Sequence, residues 1–290
     1  MKIFILLHGQ RYVYRDWKDI SERRRKVKIG FIGLGNMAAA MIGGILKKGI
    51  LTSEDIIGAD VFKAAAKKAE ESFYIKVAED NITVVKESQV VILSVKPQFY
   101  ETVINEIKDF MTEDKIIVTI APGKTLEWLA DKFQGPAKLV RCMPNTPALI
   151  LEGSTGVCHN NLVSEDEIKD ILDILSSFSK AIIVPEYLMD VVVGVSGSSP
   201  AYVFMFIEAM ADAAVAEGMP RNLAYEFAAQ AVLGSAKMVL DLKKHPGELK
   251  DMVCSPGGTT IQAVKVLEEK GFRGAVMDAV EACINKSRSL

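Results

Sequence analysis

The sequence predicts an α/β chain: a doubly wound sheet with right-handed crossovers, followed by an all-helical C-terminal part. Three observations point there. Up to about Pro185, short β-branched and apolar runs alternate with helix-length segments, the pattern of strand–helix–strand units. The first such run leads directly into a glycine-rich turn. After Pro185 the strand signal vanishes and long helical segments take over.

In order, "VKIGFI" (27–32) reads as a buried strand, and Asn36 to Lys48 as a helix ended near Gly49. "DIIGA" (55–59) is a second short strand, and Val61 to Ser72 a second helix rich in Ala and Lys. "VVILSV" (90–95) reads as a strand buried on both faces, as parallel sheets require. "KIIVTI" (115–120), "KLVRCM" (138–143) and "AIIV" (181–184) continue the series. Residues 200–218 form a helix that is apolar nearly all round, with Glu208 and Asp212 four apart on one face. A small domain cannot cover such a helix alone, which predicts a partner subunit. Helices over 223–240, 260–271 and 272–290 complete the chain.

Composition narrows the function classes. The 290 residues are 49% hydrophobic and 25% charged, enough for two domains with a sizeable core. A net charge of −2 gives no basic footprint for nucleic acid, and the run Glu22 to Lys26 reads as a solvated face. Cys142, Cys158, Cys254 and Cys283 are scattered, with neither zinc spacing nor a disulfide framework. No metal site is expected, and the compartment is read as reducing and cytoplasmic. "MKIFILLHG" lacks the cleavage site of a signal peptide, and no stretch reads as long and apolar enough to cross a bilayer. Residues 1–26 are set apart as an N-terminal extension. The expected domains are 27–186 and 187–290.

Gly33-Leu34-Gly35-Asn36-Met37-Ala38 fits G-x-G-x-x-G/A between a strand and a helix, the context of a Rossmann-type dinucleotide site. Gly33 permits the tight turn, Gly35 admits a pyrophosphate, and Ala38 keeps helix and strand close. The N–H groups of Asn36 and Met37 then face the phosphates. Asp60 ends the second strand, where an acid holds ribose hydroxyls and favours NAD over NADP; capping the next helix is an equal alternative. Lys63, Lys67 and Lys68 offer a 2′-phosphate contact or a solvated helix face. Three further loops fall at the same carboxyl edge: Val95-Lys96-Pro97 in "SVKPQ", Ala121 and Gly123 in "APGKT", and Asn145 between two prolines in "MPNTP".

"IGFIGLGNMA", "VKPQ", "MPNTP", "GVSGSSPAYVF", "EGMPRNLA", "HPGELKDMVCSPGGTTIQAV" and "GFRGAVMDAVEAC" together resemble one family, Δ1-pyrroline-5-carboxylate reductase. The match runs in family order from about residue 28 to the end. Ser199 stands where the family usually has glycine, and Cys254 where it has threonine or serine. The resemblance implies hydride transfer from NADPH or NADH to L-1-pyrroline-5-carboxylate, giving L-proline in the last step of proline biosynthesis. It also implies a homodimer through interleaved helical domains, with a ring of dimers left open. A β-hydroxyacid dehydrogenase would share the layout but use a lysine acid in the helical half, and no comparable motif is found. A non-catalytic dinucleotide sensor would not need the loop at 255–260.

That loop, "SPGGTT", precedes a helix beginning near Thr260. Backbone N–H groups at Gly257, Gly258 and Thr259 would cup the carboxylate of the cyclic imino acid, beside Ser255. By resemblance, Thr260 is the residue whose hydroxyl meets the ring nitrogen. Helix capping by Thr259 or Thr260 is the plainer alternative.

Overall fold

The computed structural model describes residues 28–289 and the short pieces 6–7 and 10–11. Leu6–Leu7 and Gln10–Arg11 pair as two antiparallel strands; the rest of the extension, with the basic run at 22–26, lies outside the described residues. Two compact units follow, one reaching Gly197 and including Ser287, the other spanning Ser198–Lys286.

The first unit is built on eight strands: β1 (Ile29–Ile32), β2 (Ile56–Ala59), β3 (Lys76–Val77), β4 (Val90–Leu93), β5 (Ile116–Thr119), β6 (Lys138–Met143), β7 (Gly153–His159) and β8 (Ser179–Ile183). They lie in the order β3-β2-β1-β4-β5-β6-β7-β8. All neighbours are parallel except β6 and β7. The first six strands thus take the order of a dinucleotide-binding sheet. β1, β2, β4 and β5 are buried at every residue, which is why they read as apolar runs and not as alternation.

Helices cover both faces. One core joins Ile29, Phe31, Ile92 and Val118 to α1 (Asn36–Lys47) and α6 (Glu165–Leu175). The other joins Ile32, Val91, Leu93 and Ile117 to α3 (Asn81–Glu87), α4 (Tyr100–Ile107) and α5 (Leu126–Phe133), while α2 (Lys63–Phe73) follows β2. Successive residues of β4 serve opposite cores, as the period of a strand dictates.

The antiparallel β7 corrects the expectation of an uninterrupted strand–helix alternation. β6 returns through the single-turn segment Thr146–Ile150, too short for a crossover helix. "GSTGVCH" carries no apolar run, so it gave no strand signal. Its two glycines admit neighbours: a Cβ at Gly153 would lie 2.9 Å from the Phe178 carbonyl oxygen, and one at Gly156 2.9 Å from Val192. Helices α3 to α6 also escaped the reading. α6 had a legible start, a capping box in which Ser164 and Glu167 bond each other's backbone N–H.

The second unit is helical: α7 (Ser199–Ala216), α8 (Arg221–Leu242), α9 (Pro246–Val253), α10 (Thr259–Glu269) and the greater part of α11 (Phe272–Arg288). α7 and α8 pack against each other, and the Phe206 and Phe272 rings sit 6.0 Å apart. Within α7 only Ala211 is buried. Phe204, Met205 and Met277 are 62%, 68% and 70% exposed. Contrary to the sequence reading, the helical run Glu186–Ala216 is long and apolar enough, by length and composition, to cross a membrane.

Candidate active site

The loops after β1, β2, β4, β5 and β6 all leave the carboxyl ends of parallel strands, and so share one edge of the sheet. The chain order reverses between β1 and β4, which places a crevice there. Gly33 turns the chain with φ +95°, and its N–H donates to the Ala59 carbonyl at 2.8 Å. A Cβ at Gly33 would lie 2.9 Å from the Ser94 backbone, so the turns after β1 and β4 touch. Ser94 ties them by donating its hydroxyl to the Gly33 carbonyl at 2.6 Å. Packing within the chain therefore accounts for Gly33.

It does not account for Gly35. Among the described residues no atom beyond its two chain neighbours lies within 4 Å of a Cβ built there, yet Gly35 caps α1 without any side-chain bond. The first helical bond runs from the Ala39 N–H to the Gly35 carbonyl, leaving the N–H groups of Asn36, Met37 and Ala38 without a helical acceptor. The first turn of α1 carries no acid to compete for them. Open space and convergent donors at a helix start fit a pyrophosphate. Ala38 is fully buried beneath.

Asp60 lies at the end of β2 with both oxygens engaged. One accepts from the Leu34 N–H at 2.7 Å, the other from the Phe62 N–H at 2.8 Å. The capping alternative is thereby corrected, because α2 is capped at Phe62 without a side-chain bond. Asp60 instead pins the glycine turn to the β2 end. Val61 and Phe62 beside it stand 87% and 68% exposed. Lys63 opens α2, and Lys67 is 3.6 Å from Glu71.

After β4, Val95 is half-buried, Lys96 exposed, and Pro97 begins a short turn that leads into α4. Ala121 is buried, and Gly123 takes φ +74°. A tyrosine that the sequence reading missed holds these two edges. Tyr100 is fully buried, donates to the Leu93 carbonyl at 2.6 Å and accepts from Thr119 at 2.9 Å. Burial raises its pKa, so its proton stays in place. Asn145 is buried, with its amide bonded to the Ser154 N–H at 2.8 Å and the Ser196 carbonyl at 3.0 Å. Its amide fastens the loop after β6 from within.

A second missed residue is Arg141, buried on β6. Its guanidinium lies 3.1 Å from Glu186 and 3.9 Å from Asp190. Glu186 also accepts from the Leu126 N–H at 2.7 Å, and Asp190 from Ser287 at 2.6 Å. A charge inside the apolar run "KLVRCM" was the available signal. Cys158, opposite Arg141 in the ladder, has its thiol pushed up to about 12, first by burial and then by the charge of Glu186.

In the helical unit, residues 255–258 close a turn in which the Gly258 N–H donates to the Ser255 carbonyl at 3.0 Å. Pro256 precedes Gly257, whose φ of +71° needs glycine. A Cβ at Gly258 would press on the Ser255 hydroxyl and lie 3.2 Å from the Ser255 carbonyl oxygen, so a side chain there needs Ser255 to shift. The cup expected from sequence shifts accordingly. Gly258's N–H is used inside the turn, and the donors without a helical acceptor are those of Thr259, Thr260 and Ile261 at the start of α10. No side chain caps that helix. Thr260 is half-buried and Thr259 exposed. Among the described residues no three His, Cys, Asp or Glu side chains converge as a metal site.

Such a sheet, with an open glycine at its switch point, defines a dinucleotide-binding protein. Residues 28–123 match the family model described as NADP oxidoreductase, coenzyme F420-dependent. Residues 186–290 match the one described as pyrroline-5-carboxylate reductase dimerisation, so the exposed apolar helices belong to a dimerisation domain. Pyrroline-5-carboxylate reductase of Escherichia coli is 50% identical over 91% of this chain and 98% of its own length. That of Methanosarcina acetivorans is 45% identical over 91% and 97%. A crystal structure of Plasmodium falciparum pyrroline carboxylate reductase with NADP bound superposes with a TM-score of 0.84 at 32% identity, covering 91% of this chain and 98% of that one. The chain belongs to the pyrroline-5-carboxylate reductase family.

Proposed function

We propose that the protein reduces L-1-pyrroline-5-carboxylate to L-proline with NADPH or NADH, working as a homodimer in the cytoplasm. Family membership across both units carries the reading. When bound, the reduced nicotinamide supplies the hydride that enters at the imine carbon. Gly35, Asn36 and Met37 hold the pyrophosphate on the turn that Gly33 permits, and Asp60 holds the adenosine ribose. Val95 to Pro97, Ala121, Gly123 and Asn145 shape the rest of the crevice.

The substrate's carboxylate is held by the α10 start, where Thr259 and Thr260 N–H groups and the helix dipole favour an anion. Ser255, Gly257 and Gly258 fix the approach to that helix. Thr260 presents its hydroxyl to the ring nitrogen, and solvent supplies the proton as C=N becomes C–NH. Orientation is the main catalytic effect, since a positioned substrate needs no nucleophile or metal. The apolar faces of α7 and α8 are covered by a second subunit, which accounts for them without a membrane; a ring of such dimers is the larger assembly to test by sedimentation. Four free cysteines suit a reducing compartment.

The test is to supply the cyclic imine with NADH or NADPH, follow loss of nicotinamide absorbance and measure proline. Equal amounts of cofactor oxidised and proline formed are expected. Cofactor binding with no oxidation would leave a sensor instead.

A further inference from the structure

We infer that this chain selects NADH over NADPH, and that Asp60 makes the selection. The inference rests on the proposed dinucleotide site and goes beyond it by naming the cofactor. Its basis is the β2 end, where the adenosine ribose of a dinucleotide meets this kind of sheet.

Asp60 is fixed on the protein side by the Leu34 and Phe62 N–H groups, one on each oxygen. Each carboxylate oxygen accepts more than one hydrogen bond, so both retain a lone pair for a ribose hydroxyl. The Leu34 bond also sets its distance from the glycine turn that holds the pyrophosphate. A 2′-hydroxyl can donate to this carboxylate. A 2′-phosphate cannot donate once ionised, and brings negative charge beside a fixed negative charge.

The neighbouring positions offer the phosphate little in return. Val61 and Phe62 follow Asp60, exposed and without a polar side-chain atom. No arginine or hydroxyl side chain occurs between Asp60 and Lys68. Lys63 and Lys68 are exposed lysines, and Lys67 faces Glu71. An exposed lysine must give up side-chain freedom to bind and is screened by salt, whereas Asp60 is already held.

Binding without substrate tests the proposal independently of the reaction. Nicotinamide fluorescence should give a Kd at least about tenfold lower for NADH than for NADPH, and NADH should raise the Tm more at equal concentration. Added salt should weaken NADPH less than NADH and so narrow the preference, because it screens a repulsion that only NADPH meets. Asp60→Asn keeps an acceptor for the Leu34 N–H and removes the charge. It should shrink the preference about tenfold, chiefly through better NADPH binding. Equal or tighter binding of NADPH by the unaltered protein would overturn the proposal, as would an unchanged ratio in Asp60→Asn. If NADPH binds as tightly as NADH and Lys63→Ala abolishes that binding, the lysine outweighs the carboxylate and the proposal also fails. Loss of imine reduction with the NADH preference intact would count against the proposed reaction alone.

Discussion

The two units solve the same problem differently. In the α/β unit the apolar residues face inward: Ile29, Phe31, Ile92 and Ile117 lie between sheet and helices with almost no exposure. In the helical unit Phe204, Met205, Leu233 and Met277 face outward. Both are comparably apolar in sequence, so hydrophobicity alone does not say where a core is closed. A sheet with helices on both faces completes two cores within one chain. Helices apolar on several sides cannot, and the match of this unit to a dimerisation domain fits that surplus of apolar surface.

The largest effect should come from breaking that shared core. Phe204→Glu places a charge on the exposed apolar face of α7. It should give monomers by sedimentation and lose most activity, at a cost of about 3–5 kcal/mol, the usual value for a large aromatic removed from a core. Persistent dimers would mean that α7 is not in the interface.

Next in size are two glycines of one turn. Gly33→Val meets the Ser94 backbone at a left-handed φ and should destabilise the α/β unit by about 2–4 kcal/mol, seen in chemical denaturation. Gly35→Val places its Cβ in open space, so stability should change little while cofactor affinity drops about 100-fold, or ~2.7 kcal/mol. Equal loss of stability in both would remove the case for an open cofactor cradle.

Thr260→Ala should be milder. A turnover 10- to 100-fold slower, about 1.4–2.7 kcal/mol, is expected with cofactor binding unchanged. An inactive variant that still binds both substrates would make Thr260 a required proton donor.

The smallest effect concerns Cys158. Its thiol is raised from 9.0 to about 12 by burial, so the folded state holds the proton more tightly than the unfolded state. Its contribution to stability is present below pH 9 and is lost as pH rises from there through about 12. Denaturant midpoints across alkaline pH should fall less steeply in Cys158→Ala than in the parent.

Much of this was legible because local physics carries it. Fully buried parallel strands are apolar along their whole length, so β1, β2, β4 and β5 announced themselves. The glycine turn was readable because strand, turn and helix are contiguous. β7 was not: its glycines fit spaces left by Phe178 and Val192, and its Thr155 bonds Ser179, all remote in sequence. Tyr100 and Arg141 were passed over for the same reason, since their partners Thr119, Glu186 and Asp190 lie 19 to 49 residues away.

By itself, then, the sequence determined the two-part design, the glycine fingerprint, the 255–260 loop and the need for a partner, because each is a local pattern or a surplus of apolar surface. Only the tertiary structure decided how those residues are used. It engaged Gly258's N–H inside its turn, fixed both Asp60 oxygens against backbone N–H groups, and left Gly35 facing open space. Each of those outcomes depends on which groups meet across the chain, and no local pattern encodes that.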